Sequence, residues 1–395
     1  MYVTRRLSQL LKSPEILTAQ PSSDGPNSGF LVIQDEESET YTCFGCCKRR
    51  ALKNLPFPQN KELLIRYTSF VVDKVEVSED PVFFIPVLNQ PLSSNHYYAI
   101  IPHGKHKGKA FTCSREEDKA TCCFCRCVKD VKPRPLDPHN IYQQFQIAPH
   151  QSFLASTGSF FATSIASDGF PPYFVRRGGW TINTKTHNLK LGTAQGLDSS
   201  LRARLPEFNL SLSQKSSQPL VVGKWYCPFI FVKEGTLKDQ VKRSMYYEMT
   251  LEQRWESIFA FRKNNSNDTK VAIDVVLENE EVLVGGSRGE WDERSAVDGV
   301  IWFKSNGSGG GRASVGLRVE IVERMKWEQA RGGWVGGSDE RRVKINKVEK
   351  VKKGEGWSEF GCYALVERFN LRRMDGSLVM SYDFRHFHKL KTKWE

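Results

Sequence analysis

The chain has 395 residues, 39% of them hydrophobic and 26% charged, with a formal net charge of +12. That length and balance exclude a disordered tail and leave room for two or three packed units with an ample core. The surplus of lysine and arginine favours acidic partners, but no nucleic-acid-binding motif accompanies it, so nucleic acid is not an expected partner.

Residues 1–29 read as an N-terminal arm: a short helix, then the loop stretch SSDGPNSG. MYVTRRLSQLLKSPEILTAQ lacks the continuous apolar core of a secretion signal, and Tyr2 excludes N-myristoylation. The C-terminal TKWE is no prenylation box, and no run of about 18 apolar residues is present. These features predict a cytoplasmic protein, with nuclear or peripheral-membrane placement as variants. They also predict reduced thiols and silent glycosylation sequons.

Strand signals dominate from residue 29 onward. GFLVIQ, ELLIRYTSFVV and HYYAII are short apolar or β-branched runs, and the prolines of PVFFIPVL suit an edge strand. PHGKHKG reads as a hairpin turn between HYYAII and KAFTCS. KPRPLDP must be extended, and residues 148–220 carry little pattern. WYCPFIFV predicts a buried strand, and Thr236 caps a short helix over TLKDQVKRS. YYEMTLEQRWESIFAF fits a helix with a Thr250–Gln253 capping box, but its alternation is longer than its helical stripe and favours a strand. With KVAIDVVL it forms a long amphipathic hairpin around 245–286.

The C-terminal third reads as antiparallel throughout, with Val315, Leu317, Val319 and Ile321 alternating. SNGSGGGR is a loop between strands, and RRVKINKVEKVKK a basic edge strand or anionic-surface contact. Asp375-Gly376, a type I′ pair, predicts a hairpin across 358–388. The expected fold is therefore mostly β, with long antiparallel strands and hairpins in two packed β-rich units and few short helices. Its divisions are the arm 1–29, a cysteine-containing β-rich unit 30–150, and a β-rich unit 151–395 with long hairpins.

Two cysteine knots are the sharpest chemical feature. Cys43-Phe-Gly-Cys46 has the spacing with which a backbone curls round one metal, and Cys123 and Cys125 share one face if the second knot is a strand. Cys43, Cys46, Cys123 and Cys125 are thus candidate ligands for a structural zinc, with His103 and His106 as spares. Reduced cysteine also serves as a small apolar filler, and clustered cysteines beside Lys48, Arg49 and Arg50 are acylation candidates. All three readings stay open. Asp383, His386 and His388 form a possible metal-enzyme set, but Asp383 falls on the opposite strand face from the two histidines. Cys227 is a nucleophile only with a base nearby, and none is evident. No nucleophile elbow, dinucleotide fingerprint, kinase set or zinc-protease helix is present, so an enzyme is not the expected class.

The stretches GPNSGFLVIQDEE, LPFPQNKELLIRY, FIPVLNQPLSSNHYYAI, CCFCRCVKDVKPRPLDPHNIYQQF, VVGKWYCPFIFVKEG and MDGSLVMSYDFRHFHKLKTKWE together resemble an uncharacterised flowering-plant family, domain of unknown function 1262. The resemblance runs over nearly the whole chain. It implies no cofactor and no catalytic residue, since none is established for the family. Some members are labelled insecticidal crystal toxin domain proteins, which implies an analogy with aerolysin-like β-rich pore formers. The resulting expectation is a non-enzymatic plant intracellular protein that binds a protein partner or an anionic membrane surface, in stress or defence. The alternatives are a pore-forming, lipid-perturbing protein and a metal-dependent enzyme.

Overall fold

The computed structural model describes residues 1–42, 46–71, 74–122, 125–150, 158–263, 269–305, 313–336, 341–351 and 356–395. The fold is mostly β with antiparallel pairing dominant, as expected. The chain divides into two compact units. The first is Met1–Ala194 with Tyr226–Tyr246, and the second is Gln195–Trp225 with Tyr247–Glu395. These boundaries differ from the expected divisions at 29/30 and 150/151.

The first unit is built on a seven-stranded antiparallel sheet. Its order is Phe160–Ser164, Gln144–Pro149, His96–Ile100, Lys74–Pro86, Lys61–Val71, Thr181–Asn188, Ala51–Leu52. Strand alternation sends Leu63 and Ile65 into a core with Phe57, Phe84, Tyr97, Phe145, Trp180 and Ile182. The same alternation turns Glu62, Leu64 and Arg66 to the other face. The Pro81 strand lies inside the sheet and not at its edge. Pro81 nevertheless pairs only with Leu64, because His96–Ile100 joins further along at residues 83–86, so the missing amide proton is tolerated.

Residues 1–6 are not an arm. Tyr2–Arg6 is a strand parallel to Gly29–Ile33, in register from Tyr2 opposite Gly29 to Arg6 opposite Ile33. Met1, Tyr2 and Val3 are buried. Tyr2 donates its hydroxyl to the Pro86 carbonyl at 2.8 Å and its ring packs on Phe231. A parallel pair needs a crossover of a dozen residues or more, and the segment from Leu7, with its Leu7–Lys12 helix, supplies it. The Leu237–Arg243 helix forms as expected, with the Thr236 hydroxyl accepting from the Asp239 amide at 3.2 Å.

The second unit centres on Tyr246–Arg262, Glu359–Arg373 and Leu378–Trp394, three long antiparallel strands. Alternation therefore outweighed the capping box at Thr250. The tip of the 359–394 hairpin differs from a type I′ turn. Asp375 does not take a positive φ, whereas Gly376 does (φ 86°) and donates to the Arg373 carbonyl at 2.9 Å. Met374-Asp375 are the turn centre, and Gly376 supplies the bulge that restores the strand twist.

The amphipathic hairpin expected at 245–286 does not form. Tyr246–Arg262 pairs with Glu359–Arg373, while Lys270–Glu278 pairs with Arg342–Lys350 in a separate two-stranded ribbon. The buried face of that ribbon, Val271, Ile273 and Ile345, packs with Phe360, Cys362 and Trp357. The second difference is at Val319 and Ile321. After the Ser314–Arg318 strand the chain enters a 13-residue helix, Val319–Arg331. Its N-cap, Arg318, makes no side-chain cap, and its buried face carries Glu320, Arg324, Glu328 and Gln329 beside Ile321, Val322 and Met325. Neither a start signal nor a clean apolar stripe marks it in the sequence.

If residues 1–6 are core, Tyr2→Ala should cost about 3–5 kcal/mol, the range for deleting a large buried ring. Urea unfolding measures it; a loss within about 0.5 kcal/mol, the usual surface value, would restore the arm.

Candidate functional site

The second unit holds a buried ionic cluster centred on Arg202. The Ser199–Arg204 helix, capped by Asp198, delivers Arg202 to the sheet. Its Nε and Nη2 donate to the two Glu367 oxygens at 2.9 and 2.6 Å. Its Nη1 donates to Glu328 at 2.9 Å and its Nη2 to the Glu328 carbonyl at 3.0 Å. Gln253 Nε2 donates to Glu367 at 2.8 Å, and Arg324 to Glu328 at 2.8 Å. His386 Nε2 lies 2.9 Å from Gln329 Oε1 and 3.8 Å from Glu367. Gly332 leaves the room; a Cβ there would overlap the Arg202 guanidinium.

Burial works against ionisation of Glu367, yet the Arg202 contacts outweigh it and hold the carboxyl below its usual range. Burial pushes the His386 imidazole down to about 4, against the raising pull of Glu367. The imidazole is thus neutral and sealed, with 0% exposure.

Asp383 faces the other way. Arg368 donates to it through Nε at 2.5 Å and Nη2 at 2.7 Å, and Arg254 at 2.9 Å. The series continues from Arg254 to Glu256 at 2.7 Å, then to Arg385 at 3.0 Å and Glu281 at 2.7 Å. These arginines hold the Asp383 carboxyl low despite its burial. The structure therefore brings His386 and His388 together, with ring centroids 5.5 Å apart, and keeps Asp383 on the opposite sheet face. Cys227 is fully buried and its thiol is pushed up to about 11 by that burial, so it is no thiolate nucleophile at neutral pH.

Of the zinc candidates, Cys43 and Cys123 lie outside the described residues, and only the backbone of Cys125 is described. Cys46 is exposed and free. Cys125 pairs opposite Cys122 in the ribbon formed by Lys119–Cys122 and Cys125–Val128. The first knot's ribbon, Tyr41–Thr42 with Cys47–Lys48, is tied at its root to Lys61 through Glu39. The second is rooted at Asp130, which accepts from the Tyr173 amide, and Arg177 lies over both the Tyr173 and Tyr67 rings. The spare ligand His103 is bonded to Glu62 at 2.7 Å. Among the described residues no group of three or more metal-ligating side chains converges.

What sequence reading missed is a cationic groove in the first unit. The ribbon carries the consecutive exposed residues Lys48, Arg49 and Arg50. They line a groove of about 700 Å³ together with Asn183 and Lys185 from the outer face of the seven-stranded sheet and Thr184 between them. Lys48 is bridged to Glu39 at 2.5 Å, and Lys185 to Glu62 at 2.5 Å. Arg49 and Arg50 have no carboxylate partner among the described residues. The run of three basic residues was visible in the sequence; the wall that faces it was not, because it lies more than 130 residues along the chain.

Residues 24–124 match the family model described as "Protein of unknown function (DUF1262)". The matched stretch includes the cationic ribbon and most strands of the first unit's sheet, but not Asn183 or Lys185. No curated protein matches the chain. Among solved structures it is similar to "Crystal structure of Cry35Ab1" at 13% identity, covering 86% of this chain and 90% of that one, with a TM-score of 0.48. A likeness at that level assigns no residue a role.

The buried histidine sets a pH dependence. Its folded pKa of about 4 lies below the unfolded value of about 6.5, so its contribution is complete above pH 6.5 and is lost as pH falls towards 4. That window should cost about 3 kcal/mol of stability, with Glu367 and Asp383 adding further loss below the ordinary carboxylate range. Denaturant titrations at stepped pH test this: His386→Leu should flatten the window between 6.5 and 4, and an unchanged slope would contradict the assignment.

Proposed function

We propose that this protein is a non-enzymatic binding protein that attaches to an anionic membrane surface through the cationic ribbon of its first unit. The observation that carries the reading is the exposed Lys48-Arg49-Arg50 run, with two guanidinium groups that no carboxylate among the described residues neutralises. Each basic residue near an anionic leaflet contributes about 1 kcal/mol, so the three together amount to about 3 kcal/mol, on the order of 100-fold in affinity. Tyr41, half exposed on the same ribbon beneath the Lys48 ammonium, is a suitable interfacial ring. Among the described residues no helix is long and apolar enough to cross a membrane, which fits a surface contact; it says nothing of strands.

The non-enzymatic half of the reading is supported by where the reactive groups sit. Asp383 is consumed by two arginines, His386 is sealed against Gln329, and Cys227 is a buried thiol. The cytoplasmic side is the natural location for this contact, since its leaflet carries the anionic lipid. The six described free cysteines suit a reducing compartment.

Flotation with vesicles containing phosphatidylserine tests the reading. The protein should float with them at low salt, detach as salt rises, and lose binding by on the order of 100-fold when Lys48, Arg49 and Arg50 are all changed to Gln. Failure of the wild type to float would remove the membrane reading in favour of an acidic protein partner. Release of trapped dye from the same vesicles would instead favour the pore-forming alternative.

A further inference from the structure

We infer that the groove between the cationic ribbon and the sheet is a site for a phosphomonoester group. The inference rests on the anionic-surface reading and narrows it from bulk charge to one chemical class. A flat patch of lysines attracts any anion, whereas this groove has two walls of different character. On the ribbon side stand Lys48, Arg49 and Arg50; on the sheet side stand Asn183 and Lys185. Asn183 lies opposite both Leu64 and Ala51 in the strand register, and Lys185, two residues on, shares its face.

The charges that face the groove decide the ligand. Among the described residues four cations line it against one carboxylate, Glu79, which already lies 3.9 Å from Arg66. Lys48 and Lys185 are each half spoken for by Glu39 and Glu62, and the latter also holds His103 at 2.7 Å. The two arginines have no carboxylate partner among the described residues, and a guanidinium offers a rigid fork of donors matched to phosphate oxygens. Two guanidinium forks without a carboxylate partner among the described residues, and two ammonium groups on the same lining, exceed what a carboxylate or a phosphodiester, with a single charge, would use. A phosphomonoester near neutral pH carries up to two charges and three acceptor oxygens. The volume of about 700 Å³ lies within the span of small-ligand sites, about 300–1,000 Å³, so the group can arrive on a sugar or inositol ring. It can be part of a lipid headgroup or a soluble phosphate.

The experiment compares vesicles at matched surface charge, one set bearing phosphatidylserine and the other phosphatidylinositol monophosphate, with inorganic pyrophosphate titrated separately by calorimetry. The wild type should bind the phosphomonoester vesicles at least about tenfold more tightly, the effect of one extra charge-assisted contact. Lys185→Gln and, as a second variant keeping the charge, Asn183→Ala should each bring that ratio towards one while melting at the wild-type temperature. Equal affinity for both vesicle types would overturn the phosphomonoester inference and leave the surface reading standing. Binding to neither, with no heat from pyrophosphate, would overturn both. Binding to neither vesicle but Lys185-dependent heat from pyrophosphate would support a soluble phosphate as the source.

Discussion

The second unit is organised around one guanidinium. Arg202 reaches two carboxylates that come from a helix and a strand 126 and 165 residues further along the chain. Each of these charges alone would be very costly to bury. Together with Arg324 they make two buried cations and two buried anions joined by charge-assisted hydrogen bonds, and the more exposed Arg331 adds a third cation 3.9 Å from Glu328. The geometry of the cluster fixes the Ser199–Arg204 helix and the Val319–Arg331 helix on the Gln253 and Glu367 strands. Gly332 is required where it stands because the guanidinium occupies the space a side chain would take.

The three long strands carry a second ionic ladder on their opposite face, from Arg368 through Asp383, Arg254 and Glu256 to Arg385, which reaches Glu281 on the adjoining strand Glu280–Val284. Alternation along the strands sorts the two sets: Gln253, Glu367 and His386 to one side, Arg254, Arg368, Asp383 and Arg385 to the other. The residues that most resemble catalytic groups are thus already engaged elsewhere, Asp383 with Arg254 and Arg368 and His386 with Gln329. In the first unit the balance is reversed. Arg49 and Arg50 are exposed and have no carboxylate partner among the described residues, and they border a groove whose far wall adds an amide and an ammonium. Charge that is internally satisfied holds the fold; charge left unsatisfied at the surface is available to a partner.

Local rules were legible where a single segment decided its own structure. The Thr236 cap, the alternation of Tyr246–Arg262 and the Gly376 turn position could be read from neighbouring residues, although the turn proved to be centred one residue earlier. The Val319–Arg331 helix was hidden because burying Glu320, Arg324 and Glu328 is reasonable only once Arg202 and its partners are known. Tyr2–Arg6 was hidden because a five-residue strand shows little alternation and its parallel partner lies across a crossover. The groove was half legible: Lys48, Arg49 and Arg50 stood out beside the cysteines, while Asn183 and Lys185 came from a stretch of weak pattern. Opposing faces for Asp383 and the two histidines followed from strand parity alone.

The most direct test of this account is amide hydrogen exchange of the whole chain with and without anionic vesicles, read at peptide resolution. The account predicts new protection over residues 46–52 and 181–185, with exchange unchanged around Gln253, Glu367 and His386. Protection centred on residues 383–388, with the ribbon and the sheet face unaltered, would contradict it and return the ionic clusters of the second unit to consideration as the working site.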